Sequence, residues 1–258
     1  MSIASCAEIV RRGDPDRFLA VMAAPVAARE RLFPIHAFNL EIARAPWVTQ
    51  EPLIAEMRLQ WWRDALVAIG GGGALPGHEV VEPLAQVIRA TDLPLPLLQA
   101  MIDARRRDIL AERFADAGAL WAHLDATAGN LTWLAARALG APGAAQDVVR
   151  DMAAADGLAR WFVAVPDLVA RGHDPLPDPG HAAIADLARA GQARLARARA
   201  ARGRVPAGAG PALMAGWRAG GILARAANDP GLVLSGGLQG SEFARRAGLL
   251  WRALTGRW

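Results

Sequence analysis

Apolar residues recur along the chain with helical spacing, and prolines and glycines divide this pattern into segments. Ala, Leu and Arg, which all favour helix, dominate the sequence, and alternating runs rich in Val, Ile or Thr, typical of strands, are nearly missing. We therefore predict an all-α protein of about nine to eleven helices. The predicted helical segments are 18–33, 35–45, 51–69, 78–90, 94–114, 120–139, 146–164, 184–201, 211–227 and 242–254.

The connections between these segments indicate one large helical bundle. Asp14-Pro15-Asp16 is expected to cap the first helix, and Pro25 can bend that helix. Segment 120–139 is apolar around much of its circumference, which places it inside a bundle. No change in composition marks a second domain, so we expect a single domain over residues 1–258, with residues 1–14 mobile. The predicted loops are 70–77, 172–180 and 203–210.

Charge and cysteine content exclude several classes of protein. All 29 basic residues are Arg, and the net charge of +4 is modest for a nucleic-acid-binding protein. The single cysteine, Cys6, excludes an internal disulfide framework and is expected to be incidental. No membrane-spanning run and no secretory signal are recognisable. The absence of Lys is typical of a GC-rich genome, and we expect a bacterial, cytoplasmic protein.

Acidic residues at helical spacing form two groups. Asp108, Glu112 and Asp116 are interleaved with arginines and predict an exposed face with local ion pairs. Asp147 and Asp151 follow a glycine-containing turn and predict a helix N-terminus. If the protein binds a metal ion at an unusual site, these carboxylates are the ligands that such a site would have to use. The five histidines have no zinc-binding spacing.

Five elements, taken in chain order, resemble the squalene/phytoene synthase family. They are FPIHAFN at 33–39, RLQWWR at 58–63, DARRRD at 103–108, HLDATAG at 123–129, with His123 in the position of a tyrosine, and ARGHDPLP at 170–177. The resemblance implies the isoprenoid synthase fold. Active members join two prenyl diphosphates head to head, and their aspartates, one helical turn apart on two facing helices, hold Mg²⁺ against the diphosphate.

The sequence departs from the family pattern at these aspartates. In the first motif they would fall near Ala43, Arg44 and Trp47, none of which is acidic. The second motif would occupy 164–168, which reads AVPDL and keeps one carboxylate, Asp167. Proline inside this segment is expected to disturb or end its helix.

We therefore expect a non-catalytic binding protein without a cofactor. It is similar to a branch of the family that resembles the assembly factors of respiratory complex I, in which HAFNLE at 36–41 and RLQWW at 58–62 keep the framework without the aspartates. The alternative is an active prenyltransferase, dependent on Mg²⁺, in which Arg44, Arg58, Arg160 or Arg171 stabilises the diphosphate.

Twelve residues are candidates for binding a ligand or partner. Glu41 and Arg44 can pair, and Arg58 can stack on Trp61 or Trp62. Two helices packed through aromatics with solvated charges would explain the same pattern. The expected partner is a protein or an apolar isoprenoid-like or lipid-like ligand, and segment 243–258 can touch the cytoplasmic face of the inner membrane. The candidates are His36, Phe38, Asn39, Glu41, Arg44, Arg58, Trp61, His123, Gly129, Arg160, Asp167 and Arg171.

Overall fold

The computed structural model describes residues 2–49 and 51–258, and within these ranges the regular secondary structure is helical, as predicted. The first helices are α1 (Ile3–Gly13), α2 (Pro15–Met22), α3 (Val26–Arg44), α4 (Pro52–Gly71), α5 (Val81–Thr91) and α6 (Leu95–Leu110). They are followed by α7 (Ala117–Leu124), α8 (Asn130–Ala138), α9 (Gln146–Ala170), α10 (His181–Ala200), α11 (Gly210–Met214), α12 (Ala219–Asn228), α13 (Gly231–Ser235) and α14 (Glu242–Thr255).

The beginning of the chain differs from the prediction of a mobile segment. Residues 3–13 form α1, which packs on α3 and buries Cys6 and Val10 completely. Cys6 is therefore a core residue, and burial raises the pKa of its thiol to about 12. Asp14 caps α2 as predicted, because its side chain accepts a hydrogen bond from the backbone N–H of Arg17.

Prolines divide the chain at different points from those predicted. The helix expected over 18–33 ends at Met22, and α3 begins after Pro25. Pro34, by contrast, lies inside α3, so the predicted boundary there was wrong. The carbonyl that Pro34 leaves without a helical donor belongs to Glu30, an exposed residue that water can reach. Pro166 likewise lies inside α9, which continues to Ala170 and does not end as predicted.

The segment predicted as one helix over 120–139 is divided by a π-helical turn at Asp125–Gly129, between α7 and α8. Side chains satisfy the carbonyls that this wider turn frees. The Thr127 hydroxyl donates to the carbonyl of His123 at 2.7 Å, and the Asn130 amide donates to that of Ala126 at 3.0 Å. Gly140 ends α8 with a φ of +88°, as its predicted C-terminal position requires.

The bundle is organised around α9, which packs against α10, α12 and the π-helical turn. One apolar cluster runs from α1 to α13 and includes the fully buried rings of Phe38 and Phe162. The described part of the chain has more helices than predicted, because α1 and α13 were not expected and segment 211–227 is divided into α11 and α12. Segment 203–210 contains short 3-10 turns. In the described ranges, no helix combines the length and the apolarity needed to cross a bilayer.

Candidate functional site

A cavity of about 260 Å³ lies between α3, α6, the α7–α8 region and α9. The π-helical turn contributes Thr127 and Ala128 to its wall, so the widened helix faces the cavity directly. Three guanidinium groups line the cavity, from α2, α6 and α9, together with one carboxylate from α6. These four residues are Arg17, Arg105, Arg160 and Asp108.

Two of the three arginines belong to a buried ion-pair network. Arg160 donates to Asp14 at 2.8 Å, to Asp156 at 2.9 Å and to the carbonyl of Ala215 at 2.9 Å. Arg17 contacts the same oxygen of Asp14 at 2.8 Å. Burial alone would raise the pKa of Asp14, but the charges of Arg160 and Arg17 outweigh it and hold that pKa well below its ordinary range. The network joins α9 to the start of α2 and to the end of α11.

Several buried polar atoms of the cavity wall have no hydrogen-bond partner in the described residues. They are Nε of Arg17, Nε of Arg105 and Nε2 of His123. Arg105 also pairs with Asp108 at 3.2 Å, and the side chains of this pair are only 16% and 9% exposed. The predicted solvated face is therefore wrong for these two residues. Unpartnered buried donors are unfavourable, so this wall is suited to a polar or anionic group.

An aromatic group closes one side of the cavity. His123 packs edge-on against Phe114 at 5.5 Å and Trp161 at 5.3 Å between ring centroids. Burial lowers the pKa of His123 to about 4. Its ring is therefore neutral at physiological pH, and it acts as a polar wall residue and not as a cation.

The four predicted arginines do not converge. Arg160 lines the cavity. Arg171 is exposed, with its guanidinium 5.4 Å from the ring centre of Trp47 beside the cavity. Arg44 is exposed and pairs with Glu41 at 3.4 Å, as the spacing predicted, outside the central cavity. Arg58 is exposed, and no cation–π contact of the described residues involves it.

The remaining candidates fall into three environments. Asn39 and His123 line the cavity. His36 and Phe38 lie in the core, and burial together with the charge of Arg17 holds the pKa of His36 well below its ordinary value. Asp167 is exposed.

The last two candidates, Trp61 and Gly129, lie outside these three environments. Trp61 is partly exposed and packs edge-on against Trp62, with 5.1 Å between centroids. Gly129 lies where a Cβ atom would be 2.6 Å from a carboxylate oxygen of Asp125, which pairs with Arg150 at 2.6 Å. Gly129 therefore permits this ion pair beside the π-helical turn.

Sequence reasoning missed Arg17, Arg105 and Trp47 as cavity residues. For Arg105 a signal was present, because the buried stripe of α6 at Leu98, Met101 and Ile102 continues at positions 105 and 108 with helical spacing. For Trp47 the signal was its place near an aspartate position of the first motif. No local pattern marks Arg17, whose position depends on how α2 packs.

Four of the residues that line the cavity are apolar and form two pairs, each with the spacing of one helical turn. They are Ala43 and Trp47 on one side and Ala164 and Leu168 on the other. Mg²⁺ requires several oxygen ligands, whereas this wall has one carboxylate, Asp108, paired with Arg105. In residues 2–49 and 51–258, no group of three or more His, Cys, Asp or Glu side chains could hold a metal ion. The donor set does not fit a magnesium–diphosphate centre.

Comparison with known proteins gives one family and one named group of relatives. The family model for squalene/phytoene synthase matches residues 10–178. The chain is 26% identical over 135 residues to complex I assembly factor 6 of Bos taurus and 24% identical to that of Homo sapiens, covering 52% of this chain and 40% of each relative. The chain therefore spans about two fifths of the length of these relatives.

Two solved structures share the fold. A dehydrosqualene synthase in complex with ligand has a TM-score of 0.83 at 13% identity, with 98% of this chain and 95% of that chain covered. Squalene synthase HpnC from Alicyclobacillus acidocaldarius has a TM-score of 0.75 at 16% identity, with 88% and 93% covered. At these identities the likeness shows the isoprenoid synthase architecture alone.

Proposed function

Because the chain belongs to the squalene/phytoene synthase family, we propose that it uses the family scaffold as a non-catalytic binding protein in the assembly of a respiratory NADH dehydrogenase complex. The observation that carries this proposal is the apolar character of Ala43, Trp47, Ala164 and Leu168. These residues face the cavity where the family pattern would place metal-binding aspartates.

The electrostatics of the cavity support a non-catalytic role. A prenyl diphosphate carries about three negative charges, and its departure depends on bridging Mg²⁺ in active relatives. Here Arg160 is committed to Asp14 and Asp156, and Arg105 to Asp108. Arginine can bind diphosphate oxygens but cannot coordinate Mg²⁺. The guanidinium-lined cavity favours the alternative, an active prenyltransferase. That alternative also requires carboxylates to hold the Mg²⁺ that assists the departure of diphosphate, and the cavity lacks such a set among the described residues.

The surface also favours a protein partner. One stripe of α4 carries large apolar side chains that are 37–72% exposed, at positions spaced by helical turns. Contiguous exposed apolar surface is typical of interaction sites. The relatives matched by this chain are named as assembly factors of complex I, a role that requires protein contacts. The stripe consists of Leu53, Ile54, Met57 and Trp61.

We expect the purified protein, incubated with Mg²⁺ and farnesyl or geranylgeranyl diphosphate, to form no head-to-head condensation product. The reason is the missing carboxylate set around the cavity. Extraction of labelled product and release of inorganic diphosphate measure the outcome, with an active squalene synthase as positive control. Robust condensation by this chain would refute the non-catalytic role.

Deletion of the gene in its host is expected to lower the NADH:quinone oxidoreductase activity of membranes and the amount of assembled complex on native gels. The wild-type gene restores both, whereas the charged double variant Leu53→Asp/Met57→Asp does not, because it disrupts the α4 stripe. Leu110→Asp, at another exposed leucine (62% exposed), is the matched control and restores both. Normal complex levels after deletion would contradict the assembly role.

A further inference from the structure

A second concave site lies between α12 and α14. It is a groove of about 460 Å³ that includes Trp217, Ile222 and the backbone at Gly221 and Gly248. Among the described residues, four arginines line it and no carboxylate does. They are Arg218, Arg225, Arg245 and Arg252.

The four guanidinium groups differ in how they are partnered. Arg218 and Arg245 both pair with Asp16, which lies at the edge of the groove. Arg252 makes only a long contact of 3.5 Å to the carbonyl of Gly248 in its own helix. Arg225 forms no ion pair in the described residues. Two of the four charges are therefore available to an anion.

Trp217 contributes an apolar part of the groove wall. Trp217 is only 4% exposed, lines the groove, and its indole N–H has no hydrogen-bond partner in the part of the chain that the structure describes. An indole N–H is a donor only, so a buried one without an acceptor is unfavourable. The indole edge beside Gly248, a groove residue, carries Cε3 and Cζ3, so the N–H lies on the other side of the ring and Trp217 offers the groove an apolar edge.

Like charges around the groove support the binding of an anion. Burial lowers the pKa of Arg252. Burial and the charges of Arg252 and Arg202 lower the pKa of Arg199 on the neighbouring helix α10. The region therefore holds guanidinium groups close together at an electrostatic penalty, which a bound anion would relieve.

We propose that the groove between α12 and α14 binds the phosphate group of an anionic ligand. Arg225 and Arg252 would donate charge-assisted hydrogen bonds to the phosphate oxygens. This site is separate from the central cavity and does not depend on the function proposed above.

The outer face of α14 indicates a phospholipid as the source of that phosphate. Phe243, Leu250, Trp251 and Leu254 fall on one side of the helix and are 61–83% exposed. Aromatic and leucine side chains on one face, with arginines on the other, are typical of helices that lie at a bilayer surface. The headgroup of a phosphatidylglycerol-like lipid beside α14 has the chemistry that the groove requires.

Titration calorimetry with three soluble probes tests the proposal: inorganic phosphate, dihexanoyl phosphatidylglycerol and dihexanoyl phosphatidylcholine. Co-flotation with phosphatidylglycerol-containing vesicles and with pure phosphatidylcholine vesicles extends the test to a membrane. We expect the phosphatidylglycerol forms to bind, with an affinity that falls as salt is added. The double variant Arg225→Gln/Arg252→Gln should weaken binding by at least about tenfold, since two charge-assisted hydrogen bonds are lost.

The matched control removes the same charge elsewhere: Arg12→Gln/Arg189→Gln, two exposed positions outside the groove. It should bind like the wild type. Equal affinity for inorganic phosphate and for the lipid would support a phosphate site in the groove and would identify a soluble phosphate, not a phospholipid, as its ligand. Absence of binding, or equal binding by both double variants, would overturn the proposal. Ligand-dependent protection against thermal unfolding, present in the control and lost in the groove variant, shows that the effect is not a folding defect.

Discussion

Replacement of Arg160 by Met is expected to lower the free energy of unfolding by about 3–5 kcal/mol. Arg160 joins Asp14 and Asp156, whose side chains are only 13% and 10% exposed, and also donates to the carbonyl of Ala215. Methionine fills a similar volume without charge. The substitution therefore removes a positive charge that neutralises two buried carboxylates. Removing one partner of a buried ion pair is strongly destabilising, because the other charge stays buried without its partner.

The pH dependence of this effect identifies its electrostatic origin. The pKa of Asp14 is depressed in the folded protein, so its ion pairs stabilise the fold above the unfolded-state pKa of about 3.9, and that stabilisation is lost as the pH falls through the folded-state pKa. In Arg160→Met the ionised form of Asp14 is stabilised less, so Asp14 takes up its proton at a higher pH than in the wild type. The difference in free energy of unfolding between the wild type and Arg160→Met should therefore become smaller as the pH falls through about 4.

Urea denaturation at several pH values measures both quantities. Arg58→Met is the matched control, because Arg58 is exposed and forms no ion pair in the described residues. It should change the free energy of unfolding by less than about 0.5 kcal/mol. A loss in Arg160→Met that is equally small, or one that does not change with pH, would contradict the assigned role of the network.

The fold could be predicted from local pattern, whereas some helix boundaries could not. The all-α class, the cap at Asp14 and the loop at 172–180 follow from propensity and from turn residues. Pro34 and Pro166 were given too much weight as helix breakers. Each is flanked by residues buried in the core, such as Ile35 and Val165, and tertiary packing there outweighs one missing hydrogen bond.

The candidate site could be predicted only in part, because local sequence patterns do not report which distant helices pack together. Asn39 and His123 were identified from motifs whose order along the chain reflects the scaffold, and Arg160 was named as a candidate for stabilising a diphosphate. All three line the cavity. Arg17 was not identified, because its position beside Arg160 depends on helices distant in sequence that meet only in the folded protein. Arg105 lies in the motif at 103–108 but was assigned to an exposed face. Two short spacings were the local traces of this network: Asp14 and Arg17 are three residues apart, and Asp156 and Arg160 are four residues apart.

Phe38, by contrast, belonged to the same motif as Asn39 and lies in the core. Phe38→Ala is expected to lower the free energy of unfolding by about 3–5 kcal/mol, which is the usual loss for a buried phenylalanine. The ring is fully buried and packs edge-on against Trp62, with 5.4 Å between centroids. The loss combines the transfer of the ring with the cavity that remains between α3 and α4.

Urea denaturation of Phe38→Ala beside Phe243→Ala separates burial from residue type, because Phe243 on α14 is 83% exposed. Phe243→Ala should change stability by less than about 0.5 kcal/mol. The loss in Phe38→Ala should also be the same at pH 7 and near pH 4, since no charge is removed, which distinguishes it from Arg160→Met. A loss below about 1 kcal/mol would mean that the ring is not a core element and that a direct role at the binding site must be considered again.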